Sequence, residues 1–182
     1  CIRDRHAWIV ADANGAIAAR GTSDDDFEAA CRANGIGTDA VIDASGKIMT
    51  PGYVDIHSHG AWEKSFDDGP DGIDVARAGH AMHGTTRQVC SLITNPIDVQ
   101  CENLRNVRAK MDQRPDILGA HLEGPFLALS RKGAHDPECL KDPVPEIVDR
   151  MLEAADGCLR QITIAPELPP GLQAIRSFAT AG

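Results

Sequence analysis

The strongest constraint on the fold of this chain is a regular alternation of strand and helix patterns that begins near residue 52. Apolar segments suited to buried strands cover residues 52–59, 86–93, 117–123 and 160–165. Each is followed by a segment suited to a helix, at residues 73–83, 97–111, 144–155 and 171–181. Strands that alternate with helices pair in parallel. The pattern therefore predicts an α/β fold, either the first half of a (β/α)₈ barrel or a doubly wound sheet.

The first 48 residues follow a different pattern. Short strands are predicted at residues 8–10, 16–19 and 40–43, with a hairpin turn at residues 12–15. An acidic helix is predicted over residues 22–34, with Ser23 or Asp24 as its N-cap. This β element is too small to bury a core alone. We therefore predict two domains, residues 1–48 and residues 49–182.

Composition excludes several classes of protein. The formal net charge of -9 and the lack of a basic stripe argue against a nucleic-acid partner. No apolar run approaches the roughly 20 residues of a membrane span. The six cysteines form no CxxC motif, and their scatter favours reduced thiols in a cytoplasmic protein, with Cys90 in the core. The chain begins with Cys1-Ile2-Arg3 rather than Met, so we expect either a cut into a longer protein or a processed start.

Two histidines end the first predicted strand. Asp55, His57 and His59 are predicted to share one face of this strand, because side chains alternate between faces. Neutral imidazoles two residues apart can converge on one cation. An HxH pattern also arises often by chance, so it needs support from the remainder of the chain.

The third predicted strand supplies a carboxylate. His121 and Glu123 share a face, and Gly124 and Pro125 follow at once, which places Glu123 at the rim of the sheet. A carboxylate there can bind an ion held by the two histidines. The alternatives are a hydrogen-bonded His121 in the barrel interior and a structural role for Glu123. The next loop, residues 129–138, lies on the substrate side of a barrel or is only a solvated loop.

Other polar groups are assigned structural roles. His80 and His83 are three residues apart in a predicted helix, a spacing compatible with metal binding, but ordinary helix positions explain them better. Asp67 and Asp68 are interpreted as a solvated turn or cap. Glu167, at the end of the fourth strand, is interpreted as a brace for the loop after the third.

Taken together, these motifs resemble those of the N-acetylglucosamine-6-phosphate deacetylases, in the amidohydrolase superfamily. The resemblance covers roughly residues 40–182. It is carried by Pro51-Gly52, Asp55, His57 and His59-Gly60, then the HLEGPF sequence at 121–126, KGAH at 132–135 and ITIAPE at 162–167. The resemblance implies a metal-dependent (β/α)₈ barrel, here its first four units, beside a small β-sandwich to which residues 1–48 contribute.

The resemblance also implies roles for individual residues. His57 and His59 match ligands of a first metal ion, and Glu123 matches the carboxylate that binds or bridges a second. Ala134 and His135 match contacts to the sugar. The implied cofactor is one or two divalent ions per subunit, with zinc as the first candidate. The implied assembly is a cytoplasmic homodimer.

The function that follows is hydrolysis of the acetamido group of N-acetylglucosamine 6-phosphate, a step of amino sugar catabolism that yields glucosamine 6-phosphate and acetate. The family's general base and further ligands come from later strands, so we expect them beyond residue 182 and expect residues 1–182 alone to be inactive. Two alternatives remain open: another amidohydrolase, similar to D-aminoacylase or dihydropyrimidinase, and a non-catalytic metal-binding fragment.

Overall fold

A computed structural model describes residues 6–181 of the chain. Cys1, Ile2 and Arg3, on which part of the expectation about the chain start rests, lie outside the described residues. The chain separates into two compact units, with the boundary between Pro51 and Gly52. No helix within the described range combines the length and the apolar character needed to cross a bilayer.

The first unit contains an antiparallel hairpin and one helix. Strands β1 (Trp8–Ala11) and β2 (Ile17–Gly21) pair as predicted. The Asp12 carboxylate closes the turn by accepting hydrogen bonds from the backbone N–H groups of Asn14 and Ala16. Helix α1 (Asp24–Ala33) begins after Ser23, whose hydroxyl accepts from the N–H of Asp26. The predicted hairpin and helix are confirmed.

The strand predicted at residues 40–43 is wrong. A 3₁₀ turn covers Thr38–Ala40, and the described residues from 41 to 51 contain no strand. Ile42 is 90% exposed, and neither β1 nor β2 pairs with this segment. A β-rich local sequence forms a strand only when a neighbouring strand receives its hydrogen bonds.

The second unit carries the predicted alternation of strands and helices. Its elements, in chain order, are β3 (Tyr53–Asp55), β4 (Gly60–Ala61), β5 (Lys64–Ser65), α2 (Gly69–Met82), β6 (Thr85–Ile93), α3 (Ile97–Gln113), β7 (Ile117–Glu123), α4 (Pro145–Ala155), β8 (Leu159–Thr163) and α5 (Gly171–Ala181). Two 3₁₀ turns, Leu129–Arg131 and Pro137–Cys139, lie in the long loop after β7.

The order of the strands decides between the two predicted architectures. The sheet runs β3-β6-β7-β8, and each neighbouring pair is parallel. This order follows the chain without reversal, so right-handed crossovers place all connecting helices on one face of the sheet. A doubly wound sheet would reverse its order at a switch point. The arrangement of these four units is that of half a (β/α) barrel.

The hydrophobic core lies between the sheet and these helices. Leu92 of β6 and Leu122 of β7 are completely buried, as are Ile73 of α2, Leu104 of α3 and Met151 of α4. Burying each such side chain contributes about 1.5–3 kcal/mol. Cys90 also lies in this core, as predicted, and burial raises the pKa of its thiol to about 12. The face of the sheet that the helices cover is therefore buried.

Strand β3 is shorter than predicted. It ends at Asp55, where the Asp55 carboxylate accepts a hydrogen bond of 3.0 Å from the backbone N–H of His57. An aspartate that bonds the backbone two residues on diverts the chain from extended structure. His57 and His59 therefore follow the strand rather than belong to it, and the alternation of faces does not explain their positions.

A buried guanidinium joins the N-terminal ends of two strands to helix α2. The Arg77 side chain is 1% exposed, and its Nε donates to the Asp116 carboxylate at 2.9 Å. Burial opposes ionisation of Asp116, but hydrogen bonds from Arg114 and Arg77 outweigh burial and lower the pKa of this carboxyl below its ordinary value of 3.8.

We expect Asp116→Asn to lower the free energy of unfolding by about 3 kcal/mol at neutral pH, because Arg77 would keep a buried charge without its partner. The Asp116 pair contributes its stability above the carboxyl's unfolded pKa of 3.8, and loses it as the pH falls through the lower folded pKa. Urea unfolding between pH 2 and 7 should show a smaller acid-induced loss in the variant. Asp149→Asn, on the exposed side of α4, is the control and should retain the parental pH dependence.

Candidate metal centre

Two imidazoles and one carboxylate converge at the end of the sheet where the strands finish. The Nε2 atoms of His57 and His59 lie 3.3 Å apart. Glu123 approaches both rings, with Oε1 3.7 Å from His57 Nε2 and Oε2 2.8 Å from His59 Nε2. The three side chains come from the segment after β3 and from the last residue of β7. The structure therefore brings together all three residues predicted to bind metal.

The donor set fits a small divalent cation. Zinc binds histidine nitrogen and carboxylate oxygen at 2.0–2.2 Å in tetrahedral sites, which separates neighbouring donor atoms by about 3.3 Å. One ligand atom from each of the three residues lies within 4.8 Å of the other two. The two ring nitrogens are 3.3 Å apart, and the two Glu123 oxygens lie 3.7 Å from His57 Nε2 and 2.8 Å from His59 Nε2. Two imidazole nitrogens and a carboxylate oxygen that meet in this way are an electron-rich set suited to a cation.

The backbone at Glu123 is fixed by a neighbouring strand. Thr94 follows β6, and its hydroxyl donates a hydrogen bond of 3.0 Å to the carbonyl oxygen of Glu123. Gly124, next in the chain, has φ +81 and faces the Thr94 hydroxyl, where a Cβ atom would collide. A glycine is therefore required for the chain to turn away and leave the Glu123 carboxylate at the rim.

His121 lies beneath the cluster but does not join it. The residue is completely buried, and its Nδ1 and Nε2 each lie 2.9 Å from a hydroxyl, of Ser91 and Thr163 respectively. Its ring meets that of His57 edge-on, with centroids 4.9 Å apart. Burial, and then the nearby His57 ring, lower the pKa of His121 to about 4. His121 thus matches the alternative given by the sequence, in which it is a neutral, hydrogen-bonded residue of the interior.

His135 reaches the cluster from the loop after β7. Its side chain is 11% exposed, with Nε2 3.8 Å from Glu123 Oε2 and Nδ1 2.8 Å from the Thr94 hydroxyl. Thr94 has one hydroxyl proton, which it donates to the Glu123 carbonyl, so it accepts a hydrogen bond from His135 Nδ1–H. The Nε2 atom of His135 is thereby directed at the site. Ala134 is exposed, and its contact with a sugar stays a prediction.

The interpretation of Asp67 as a solvated turn is wrong. Its carboxylate accepts hydrogen bonds from the backbone N–H of Ile93 at 3.2 Å and from the Asn103 amide at 3.0 Å. Burial raises the pKa of Asp67 despite these bonds. Asp67 thus ties the segment after β5 to the end of β6, and only Asp68 has the predicted capping position, before α2.

Other groups near the site match the sequence interpretation to different degrees. His80 Nε2 contacts the carbonyl oxygen of Gly60 at 3.1 Å, a structural role as predicted. Glu167 is exposed and makes no side-chain hydrogen bond or ion pair within the described part of the chain, which gives no support for a bracing role. Ser91 and Thr163 were not identified from the sequence, and the only signal for them is that polar residues occupy the ends of apolar strands.

Comparisons with known proteins identify deacetylases of amino sugar phosphates among the relatives of this chain. No protein-family model matches the chain. Over 148 residues it is 31% identical to N-acetylglucosamine-6-phosphate deacetylase from Lysinibacillus sphaericus, covering 78% of this chain and 38% of that protein. It is 29% identical to N-acetylgalactosamine-6-phosphate deacetylase from Escherichia coli O157:H7, covering 75% of this chain and 37% of that protein. The chain spans less than two fifths of the length of these relatives.

Solved structures give the same result. N-acetyl-D-glucosamine-6-phosphate deacetylase from Mycobacterium smegmatis aligns with a TM-score of 0.69 and 38% identity, covering 72% of this chain and 38% of that one. The enzyme from Pasteurella multocida aligns with a TM-score of 0.68 and 26% identity, covering 80% and 40%. The resemblance seen in the motifs is confirmed: this chain is similar, over most of its length, to part of the N-acetylglucosamine-6-phosphate deacetylases.

Proposed function

We propose that the protein carrying this chain hydrolyses the acetamido group of N-acetylglucosamine 6-phosphate, releasing acetate and glucosamine 6-phosphate. The observation that carries the proposal is the convergence of His57, His59 and Glu123 at the carboxyl end of a parallel sheet. Barrel enzymes build their active sites at this end. The names of the relatives supply the substrate class.

The cluster and the two histidines beside it have different roles in this proposal. A divalent ion, with zinc as the first candidate, would be held by His57, His59 and Glu123. Such an ion lowers the pKa of water toward about 7 and polarises a carbonyl group. Glu123 supplies the negative charge that two neutral imidazoles lack. The buried, neutral His121 adds no positive charge beneath the ion. His135, held by Thr94, directs Nε2 toward the space where a substrate would lie.

The proposal includes the wider organisation of the protein. The half barrel of residues 49–182 would belong to a closed (β/α)₈ barrel, and residues 1–48 to a small β-sandwich domain. The protein would act in the cytoplasm as a homodimer on a small amino sugar phosphate, with Ala134 and His135 contacting the sugar. Among the described residues, β3 and β8 are the outer strands of the sheet and each pairs with one strand only, which supports a larger barrel because strand edges are normally paired or covered.

Acetate release by the purified protein tests the function. We expect release from N-acetylglucosamine 6-phosphate that is abolished by a chelator and restored by zinc. N-acetylgalactosamine 6-phosphate should be compared directly, because one relative is named for that substrate. An N-acyl-D-amino acid and a dihydropyrimidine should be poor substrates. The intact mass of the assayed protein shows whether it extends beyond Gly182.

The outcomes separate the remaining hypotheses. Turnover of the amino acid or pyrimidine derivative, without turnover of either sugar phosphate, would identify a different amidohydrolase. Stoichiometric zinc binding without turnover of any substrate would identify a non-catalytic metal-binding protein. A zinc-loaded protein that extends beyond Gly182 and releases no acetate contradicts the proposed reaction.

A further inference from the structure

The His57–His59 segment is not held by ordinary strand pairing. Strand β3 ends at Asp55, two residues before the first imidazole. Ser58 lies between the two histidines. Its contacts replace the backbone hydrogen bonds that a paired strand would make here. Its carbonyl oxygen accepts a hydrogen bond of 3.1 Å from the backbone N–H of Ser91, and its hydroxyl contacts the side-chain amide of Gln88.

The orientation of the Gln88 amide is dictated by its other partner. Gln88 is completely buried in β6, and its Oε1 accepts a hydrogen bond of 2.7 Å from Arg77 Nη1. A guanidinium only donates, so the amide oxygen must face Arg77 and the amide nitrogen must face Ser58. The Ser58 hydroxyl is therefore the acceptor in this contact.

Arg77 is itself immobilised. Besides Gln88, it donates to the Asp116 carboxylate at 2.9 Å and to the carbonyl oxygen of Thr85 at 3.2 Å. These bonds join α2 to the starts of β6 and β7. A chain of hydrogen bonds thus runs from Asp116 through Arg77 and Gln88 to Ser58, and its two central members, Arg77 and Gln88, are buried. Buried, hydrogen-bonded side chains of this kind are rigid.

We propose that Gln88 and Ser58 are positioning residues that hold the His57 and His59 rings in the geometry in which they bind a divalent ion. The inference rests on the metal site proposed above. With Ser58 fixed at its carbonyl by Ser91 and at its hydroxyl by Gln88, the rings on either side of it have little freedom to separate. Groups that orient metal ligands typically change metal affinity by 10- to 100-fold when removed.

The zinc dissociation constant of the purified protein, measured by competition with a chromophoric chelator, tests this inference. We expect Ser58→Ala and Gln88→Met each to weaken zinc binding by about 10-fold or more. The double variant should be little weaker than either single one, because both break the same chain. Gln88→Glu should restore near-parental affinity, since a carboxylate accepts from both Arg77 and the Ser58 hydroxyl.

A matched control comes from the same pair of strands. The Thr86 hydroxyl donates to the carbonyl oxygen of Tyr53 at 3.3 Å, a β6-to-β3 contact away from the histidines, and Thr86→Val should leave zinc affinity unchanged. If Gln88→Met fails to fold, Ser58→Ala carries the test. Parental zinc affinity in folded Ser58→Ala overturns the inference. No zinc binding by the unsubstituted protein overturns the metal site itself, and the inference with it.

Discussion

Glu123→Gln is expected to lower the rate of acetate release by about three orders of magnitude while leaving the fold intact. Glu123 is the one anion in the three-residue cluster, and its oxygens lie 2.8 Å from His59 Nε2 and 3.7 Å from His57 Nε2. Glutamine keeps the size but removes the charge, so a bound cation would lose its neutralising ligand. Turnover number and zinc content should be measured on the same preparation.

Glu102→Gln on the exposed side of α3 is the matched control, because it makes the same chemical change away from the cluster. It should retain parental turnover. The melting temperature separates the two roles that the sequence allows for Glu123. A purely structural residue would give a lower melting temperature and near-normal turnover in the folded fraction, and that result would contradict its assignment as a ligand.

The helices of the second unit could be predicted well because their start signals are local. Helix α3 begins at Ile97, directly after Pro96, and α4 begins at Pro145, one residue after the predicted start. Proline suits the first turn of a helix, where its missing N–H costs no hydrogen bond. Helix α2 begins at Gly69, four residues before the predicted start, because the Asp68-Gly69-Pro70 sequence resembles a turn as much as a helix start.

Strand β3 shows where the period of a strand fails to predict side-chain positions. Residues 52–59 have the composition of a strand, and the alternation of faces gave a reason for His57 and His59 to converge. In the structure they converge for a different reason, since the Asp55 carboxylate ends the strand and Ser58 is held from the side. A side chain that bonds its own backbone leaves no periodic signal in the sequence.

The site itself could be predicted in outline because parallel strands finish at one edge. That rule predicted that the histidines near the end of β3 lie close to Glu123 at the end of β7. The hydrogen bonds around them could not be predicted, because Gln88 and Arg77 are buried polar residues whose partners come from distant parts of the chain. Hydrophobic patterning says which positions are buried, but not which polar groups meet there.

The double variant His57→Asn, His59→Asn is expected to abolish stoichiometric zinc binding, with affinity falling by more than about 100-fold. Asparagine offers only a short neutral amide at each position, so two of the three converging donors disappear. Metal per chain should be measured by elemental analysis after gel filtration. The metal-free variant should melt close to the metal-free parent, because the two Nε2 atoms meet at 3.3 Å on the partly exposed rim and not in the core.

His83→Asn tests whether the loss is specific to these two histidines. His83 is the C-cap residue of α2 and is exposed, so both zinc content and stability should be parental. The single variants refine the assignment. Loss of either ring should weaken zinc binding, because each supplies one of the three converging ligand atoms. Parental zinc stoichiometry in the double variant would show that the ion binds elsewhere, and the active site would have to be sought around other residues.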